Sequence, residues 1–146
     1  MHITRFTDYS LRVLMYAGLR DGELCTIQEI ADSYNISKNH LMKVVQELNI
    51  KGYLKAIRGK NGGLTLGRPA NEINLGSLVR DTEQDFNIVE CFSEADTCTI
   101  TPNCKLKSIL AQALNAFLGV LDDYTLEDLL APRTKAPLMK LLFTDK

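Results

Sequence analysis

The chain has 146 residues, is 45% hydrophobic and 24% charged, and carries four cysteines and no tryptophan. This is the composition of a folded domain with a core of its own, and it argues against a disordered or low-complexity chain. No apolar run approaches the roughly 18–20 residues that span a bilayer, and Met1-His2-Ile3-Thr4-Arg5 lacks the apolar centre of a signal peptide. The expectation is therefore a cytoplasmic protein with reduced thiols. The formal net charge of −1 conceals an asymmetry. Residues 1–70 hold ten Lys/Arg against six Asp/Glu, and residues 71–146 hold seven against twelve. A basic first half joined to an acidic second half fits a nucleic-acid-contacting region attached to something else.

In chain order, Thr7 is placed to cap a helix from Asp8 to Arg20, with Leu11, Leu14 and Met15 on one face, ended by Asp21-Gly22. Thr26-Ile27-Gln28-Glu29 reads as a capping box opening a short helix to Tyr34. After a tight turn at Asn35-Ile36, Ser37 caps a second helix, Lys38 to Lys51, which Gly52 stops. Two short helices joined by a brief turn make a helix-turn-helix. Leu41, Val44, Val45 and Leu48 take the core face of its second helix. Ser37, Lys38, Asn39, His40 and Lys43 are left near the exposed N-terminal end, where a recognition helix meets bases and phosphates.

Two alternating stretches follow, Tyr53–Ile57 and Leu64–Leu66, joined by Arg58-Gly59-Lys60-Asn61-Gly62-Gly63. Three glycines and an Asn permit a tight hairpin. Arg58, Lys60 and Asn61 at its tip make it a basic wing suited to DNA, and the Arg can enter a minor groove.

Residues 73–83 read as one more helix, and residues 84–103 lack periodicity. A long helix is expected to start at Thr101-Pro102 and run to Asp122 or Tyr124. Leu106, Leu110, Ala113, Phe117, Val120 and Tyr124 form an a/d seam, widened by Leu114, Leu118 and Leu121. A stripe that wide suits a homodimer, which would read a pseudo-palindromic double-stranded operator. Thr125–Asp128 caps a short final helix, and the tail beyond carries no clear signal. The fold class is thus mainly α with a small β wing. Residues 1–83 form a winged helix-turn-helix, 84–103 a cysteine-bearing loop, and 104–146 a dimerisation helix and tail.

Cys25 stands alone and reads as a small, partly buried hydrophobe. Cys91, Cys98 and Cys104 are spaced C-x6-C-x5-C. Structural zinc favours a tighter knuckle and four N/S ligands, whereas longer loops can wrap an iron–sulfur cluster. Cys104, at the expected helix start, sits where backbone N–H groups favour a thiolate. A metal-free thiol switch among the same residues, and three incidental cysteines, are the competing readings. Asp8, read alone, is a first-turn acid able to pair with Arg12.

These features together resemble a family of bacterial iron–sulfur transcriptional regulators, over nearly the whole chain. The resemblance lies in Phe6-Thr7-Asp8-Tyr9-Ser10-Leu11-Arg12, in Ser37–Val44, in the wing Ile57–Gly63, and in the three cysteines. Cys98-Thr99-Ile100-Thr101-Pro102-Asn103-Cys104 and Leu121–Leu129 look particularly like its nitric-oxide-sensitive repressors. The cluster-assembly members are similar but carry a His where this chain has Lys107, an ammonium that cannot be a ligand. The resemblance implies a 4Fe-4S cluster held by Cys91, Cys98 and Cys104, with the Asp8 of a partner subunit as fourth ligand. It implies a repressor, not an enzyme, whose operator affinity is lost on reaction with nitric oxide. A sibling sensing redox state or iron through a 2Fe-2S cluster is the alternative within the family. No nucleotide loop or acid/base constellation points to catalysis.

Overall fold

The computed structural model describes residues 1–144. Helix α1 spans Arg5–Leu19, α2 Ile27–Tyr34 and α3 Lys38–Ile50; strands β1 (Leu54–Ile57) and β2 (Gly63–Leu66) form a hairpin. Helices α4 (Leu75–Thr82), α5 (Lys105–Asp122), α6 (Leu126–Leu129) and α7 (Pro132–Leu142) follow. The fold is mainly helical with a small antiparallel sheet.

The N-terminal cap differs from the sequence expectation. Thr4, not Thr7, caps α1 and accepts from the Thr7 backbone N–H. Thr7 is buried, and its hydroxyl donates to Thr82 at 2.9 Å. The helix starts three residues early because Glu83 completes the cap, its carboxylate accepting from the backbone N–H and the hydroxyl of Thr4. That partner lies far away in the chain, so local spacing could not reveal it.

The capping box of α2 forms as expected, with Thr26 and Glu29 bonding reciprocally. Asn35 then takes a left-handed conformation (φ 53°) that turns the chain into α3. Ser37 precedes α3 but makes no side-chain capping bond. Leu41, Val44, Val45 and Leu48 are buried against Val13, Leu14, Ala17, Ile30 and Ala31, giving one continuous core. Fully burying each such aliphatic side chain is worth about 1.5–3 kcal/mol.

The hairpin pairs Leu54 with Leu66 and Ile57 with Gly63. A bridge between Cys25 and Leu64 adds the α1–α2 loop to its inner edge. Helix α4 is shorter than the expected 73–83, because Ile73 and Asn74 are extended and bond the α5–α6 connection instead. Leu126 donates to the Ile73 carbonyl at 2.8 Å and Leu75 to that of Tyr124 at 3.0 Å.

The long helix also starts later than expected. Thr101–Asn103 is a separate 3-10 turn with Pro102 near its start. Cys104 is extended (ψ 107°) and is the N-cap of α5 rather than a residue of its first turn. The tail forms α7, whose end closes the core: the Phe143 ring meets Tyr16 edge-on at 5.0 Å, and the Ser33 hydroxyl donates to the Leu142 carbonyl. Asp145 and Lys146 lie outside the described residues.

Candidate nucleic-acid interface and cysteine loop

Recognition helix α3 buries one side and leaves Ser37, Lys38, Asn39, His40 and Lys43 exposed in a group at its N-terminal end. The Ser37 hydroxyl, having no capping role, remains available there. The wing follows directly. Arg58, Lys60 and Asn61 are exposed at its tip, so both sets of predicted DNA contacts lie on the surface of adjoining elements.

Only Gly59 of the three wing glycines uses positive φ (113°). Gly62 is required for closeness instead. A β-carbon there would run into the Ile57 carbonyl oxygen and lie 2.9 Å from that of Gly59. The wing is tied to α3 by Asn49, whose side-chain oxygen accepts from the Ala56 backbone N–H at 2.9 Å. Its base is tied by Arg68, which donates to the carbonyls of Lys51 and Gly52 at the end of α3 and lies 4.4 Å over the Tyr53 ring. Asn49 and Arg68 were not singled out in the sequence. Asn at the end of a predicted helix beside a strand is the only local hint.

The three later cysteines are free thiols: Cys91 and Cys104 are half-buried and Cys98 is exposed. Cys91 lies in a 3-10 turn, Glu90–Phe92. Cys91 and Cys104 line one open pocket of about 660 Å³ with Phe86, Phe92, Lys107 and Leu114. Two acids that sequence reasoning passed over hold the loop. Glu90, next to Cys91, accepts from the backbone N–H (3.1 Å) and hydroxyl of Thr97, next to Cys98. Those bonds hold its carboxyl below the usual range. Asp96 accepts from the Cys98 backbone N–H at 3.0 Å and the Thr101 hydroxyl at 3.1 Å. The loop thus ties the surroundings of Cys91 to those of Cys98, and the 3-10 turn leads on to Cys104.

Among the described residues, no three His, Cys, Asp or Glu side chains converge on a single-ion site. Cys91 and Cys104 fit a larger anionic iron–sulfur group, while Cys98 is exposed and is not among the residues lining their pocket. Such clusters are held by cysteine thiolates, and two thiols share a pocket with Phe86, Phe92 and Leu114 in its wall. Lys107 lines it too, and Cys104 makes no side-chain capping bond, leaving the first N–H groups of α5 to face a negative charge.

Asp8 lies in the first turn of α1 and forms a two-pronged pair with Arg12, at 2.7 and 3.1 Å. Its carboxylate is about half-exposed, so it is held but still reachable from outside the chain. Cys25, by contrast, is buried, with its thiol 3.6 Å from the Leu64 carbonyl and its pKa pushed up to about 11 by burial. It packs as a small hydrophobe, more fully buried than the sequence suggests.

On α5, which packs against α4, Leu118 is buried. Most of the predicted seam is left uncovered: Leu106 and Val120 are 59% and 58% exposed and Phe117 and Tyr124 nearly half, while Leu110 is half-buried.

A helix-turn-helix followed by a short basic hairpin defines a winged-helix transcriptional regulator. The chain belongs to the Rrf2 family, whose model, described as an iron-dependent transcriptional regulator, matches residues 3–132. It is 54% identical to the HTH-type transcriptional regulator NsrR of Bacillus subtilis over 144 residues, covering 97% of each chain. It is 47% identical to the NsrR of Oceanobacillus iheyensis, covering 100% of this chain and 99% of the other. Among solved structures, CymR, the global cysteine regulator of B. subtilis, superposes with a TM-score of 0.68 at 28% identity, covering 88% and 95% of the two chains. IscR of T. potens shares the fold, with a TM-score of 0.73 at 23% identity over 93% and 90% of the chains. These relatives are transcriptional regulators, and this chain is one rather than an enzyme. No helix among the described residues is long and apolar enough to cross a membrane.

Proposed function

We propose that the protein is a homodimeric repressor that binds a pseudo-palindromic operator and responds to nitric oxide through a 4Fe-4S cluster. The observation that carries this reading is the pairing of Cys91 and Cys104 in one pocket at the foot of α5, a helix whose other face is an uncovered apolar seam. Cys91, Cys98 and Cys104 are the proposed protein ligands from one chain, with the partner subunit's Asp8 as the fourth. When bound, the cluster supplies iron that reacts with nitric oxide.

This chain's own residues suit those roles. Glu90 and Asp96 keep the cysteine loop folded on itself, which shortens the search for a common ligand geometry. Arg12 orients the Asp8 carboxylate and neutralises it, so ligation requires Asp8 to give up or share that pair. An oxygen ligand is a hard donor and the more exchangeable member of a set of soft thiolates. On the DNA side, Ser37, Lys38, Asn39, His40 and Lys43 would enter the major groove while Arg58, Lys60 and Asn61 follow the backbone or minor groove. Two copies joined along α5 would place two such heads about one helical turn apart on DNA.

One observation favours a second reading. Cys98 is exposed and free, as a metal-free thiol switch requires. A nitric oxide titration of anaerobically purified protein, with iron and sulfide counted beforehand, separates the two. About four irons and four sulfides per chain, bleaching on titration with loss of operator affinity, is the expected result. Two irons per chain would point to the 2Fe-2S sibling. A colourless protein that takes up no iron on anaerobic reconstitution would leave the thiol switch.

A further inference from the structure

The last turn of α4 and Glu83, the residue after it, make four successive polar contacts to other parts of the molecule. Arg80 forms a two-pronged pair with Asp122 at the end of α5, at 2.5 and 2.9 Å. Asp81 accepts from the Tyr53 hydroxyl at 2.5 Å. Thr82 accepts from Thr7 of α1, and Glu83 caps α1 at Thr4. The cysteine loop begins at the next residue. Gly76, one turn earlier, lets the Arg80–Asp122 pair lie close on α4, because a β-carbon there would run into the Asp122 carboxylate.

Tyr53 is the other end of this arrangement. It is buried and sits between α3 and β1. Its backbone N–H donates to the Leu48 carbonyl of α3 at 2.9 Å, and its own carbonyl accepts from Gly67, just after β2, at 2.9 Å. Its ring lies under Arg68, which holds the end of α3. One residue is therefore tied through its backbone to the recognition helix and the end of the wing, and through its side chain to Arg68 and α4. Burial pushes its pKa up to about 12 from an ordinary 10.0.

A bland account of the Tyr53 hydroxyl is that a buried tyrosine needs some hydrogen-bond partner. That account does not explain why the partner sits next to the residue gripping α5 and one turn from the cysteine loop. Helix α4 packs against α5 as well as α1, so the turn that holds the Tyr53 hydroxyl is also the turn paired with the end of α5.

We propose that Asp81 and Tyr53 are positioning residues that couple the long helix α5 to the DNA-reading head, through the Arg80–Asp122 pair. The inference rests on the reading of the chain as an operator-binding regulator switched from the α5 side. Neither residue touches DNA in this account; they set the angle of α3 and the wing to the rest of the molecule.

The test is a double-mutant cycle on operator affinity. The probe is the duplex that the wild-type protein itself selects from a random pool, and the variants are Asp122→Asn, Tyr53→Phe and the pair. Tyr53→Phe keeps the ring under Arg68 and removes only the hydroxyl. Asp122→Asn is expected to change affinity at least about fivefold in the wild-type background and less than about twofold in the Tyr53→Phe background. Independent distant sites combine to within about twofold, so a purely structural role at each site would leave the two effects multiplicative, and that result overturns the coupling. Thermal midpoints and sedimentation show whether each variant remains folded and assembled. Asp81→Ala, which removes the acceptor of the Tyr53 hydroxyl, replaces Tyr53→Phe if the latter does not fold, with the same expected outcome. If the wild-type protein selects no sequence from the pool, the regulator reading fails and the coupling with it. If it selects one, but loaded and metal-free forms bind it equally, only the cluster reading fails and the cycle still decides the coupling.

Discussion

Substituting Gly62 by Ala tests whether the wing's shape matters for DNA binding. The wing turn brings the Gly62 α-carbon against the backbone of its own hairpin. A β-carbon there would run into the Ile57 carbonyl oxygen and lie 2.9 Å from the Gly59 oxygen and 3.1 Å from the Arg58 carbonyl carbon. All three are backbone atoms, so no side chain can move aside. The turn must open, and the Gly62 N–H to Gly59 O bond, 3.0 Å long, weakens with it. Forcing extra volume into a tight site costs about 1–3 kcal/mol. The core does not share this cost, because the wing tip at residues 58–61 is exposed. It falls on the population of hairpins that present Arg58 and Lys60 correctly. At about 1.4 kcal/mol per tenfold, operator affinity should fall about 5- to 150-fold. Fluorescence anisotropy with a labelled operator duplex measures the affinity, and circular dichroism checks that the helices persist. Wild-type affinity in a folded Gly62→Ala protein would refute the argument that this turn presents the wing to DNA.

Three further outcomes are expected. Truncating Lys43 or Lys60 to Ala should lower the slope of log affinity against log salt by about 0.9 each, if each neutralises one phosphate; an unchanged slope removes that residue from the backbone contacts. In metal-free protein, iodoacetamide followed by peptide mass spectrometry should modify Cys98 first, Cys91 and Cys104 more slowly, and Cys25 only on unfolding, following their exposure. Early labelling of Cys25 would contradict its burial. Stability should fall with rising pH above about 9. The Cys25 thiol is pushed up to about 11 from its ordinary 9.0 by burial, so the folded protein holds that proton more tightly than the unfolded chain. Its contribution is complete below pH 9 and is lost as the pH rises through 11. Tyr34 and Tyr53, pushed up to about 12 from 10.0, mainly by burial, extend the loss. Urea midpoints that stay level from pH 8 to 11 would show that these burial effects are absent.

Local chemistry was enough to read much of this molecule from its sequence. The Thr26/Glu29 capping box, the two helices of the reading head, the glycine-rich hairpin and the α5 seam all depend on residues within a few positions of one another. Capping, turn formation and helical periodicity act over that same short range. The candidate ligands were legible for a similar reason, since three cysteines in one aperiodic segment stand out by type and spacing. What tertiary structure decided was every contact between distant segments. Glu83 moves the start of α1 to Thr4 from nearly eighty residues away, and the Ile73–Asn74 pairing with the α5–α6 connection shortens α4. The tail that carried no signal becomes α7 because Tyr16 and Ser33 offer it a site on the finished core. Asp81, Tyr53 and Arg68 are unremarkable in sequence, and only packing brings them together between the reading head and α5. Spacing along the chain encodes which groups can meet within one or two turns; which groups meet across the core depends on how the helices are laid against one another.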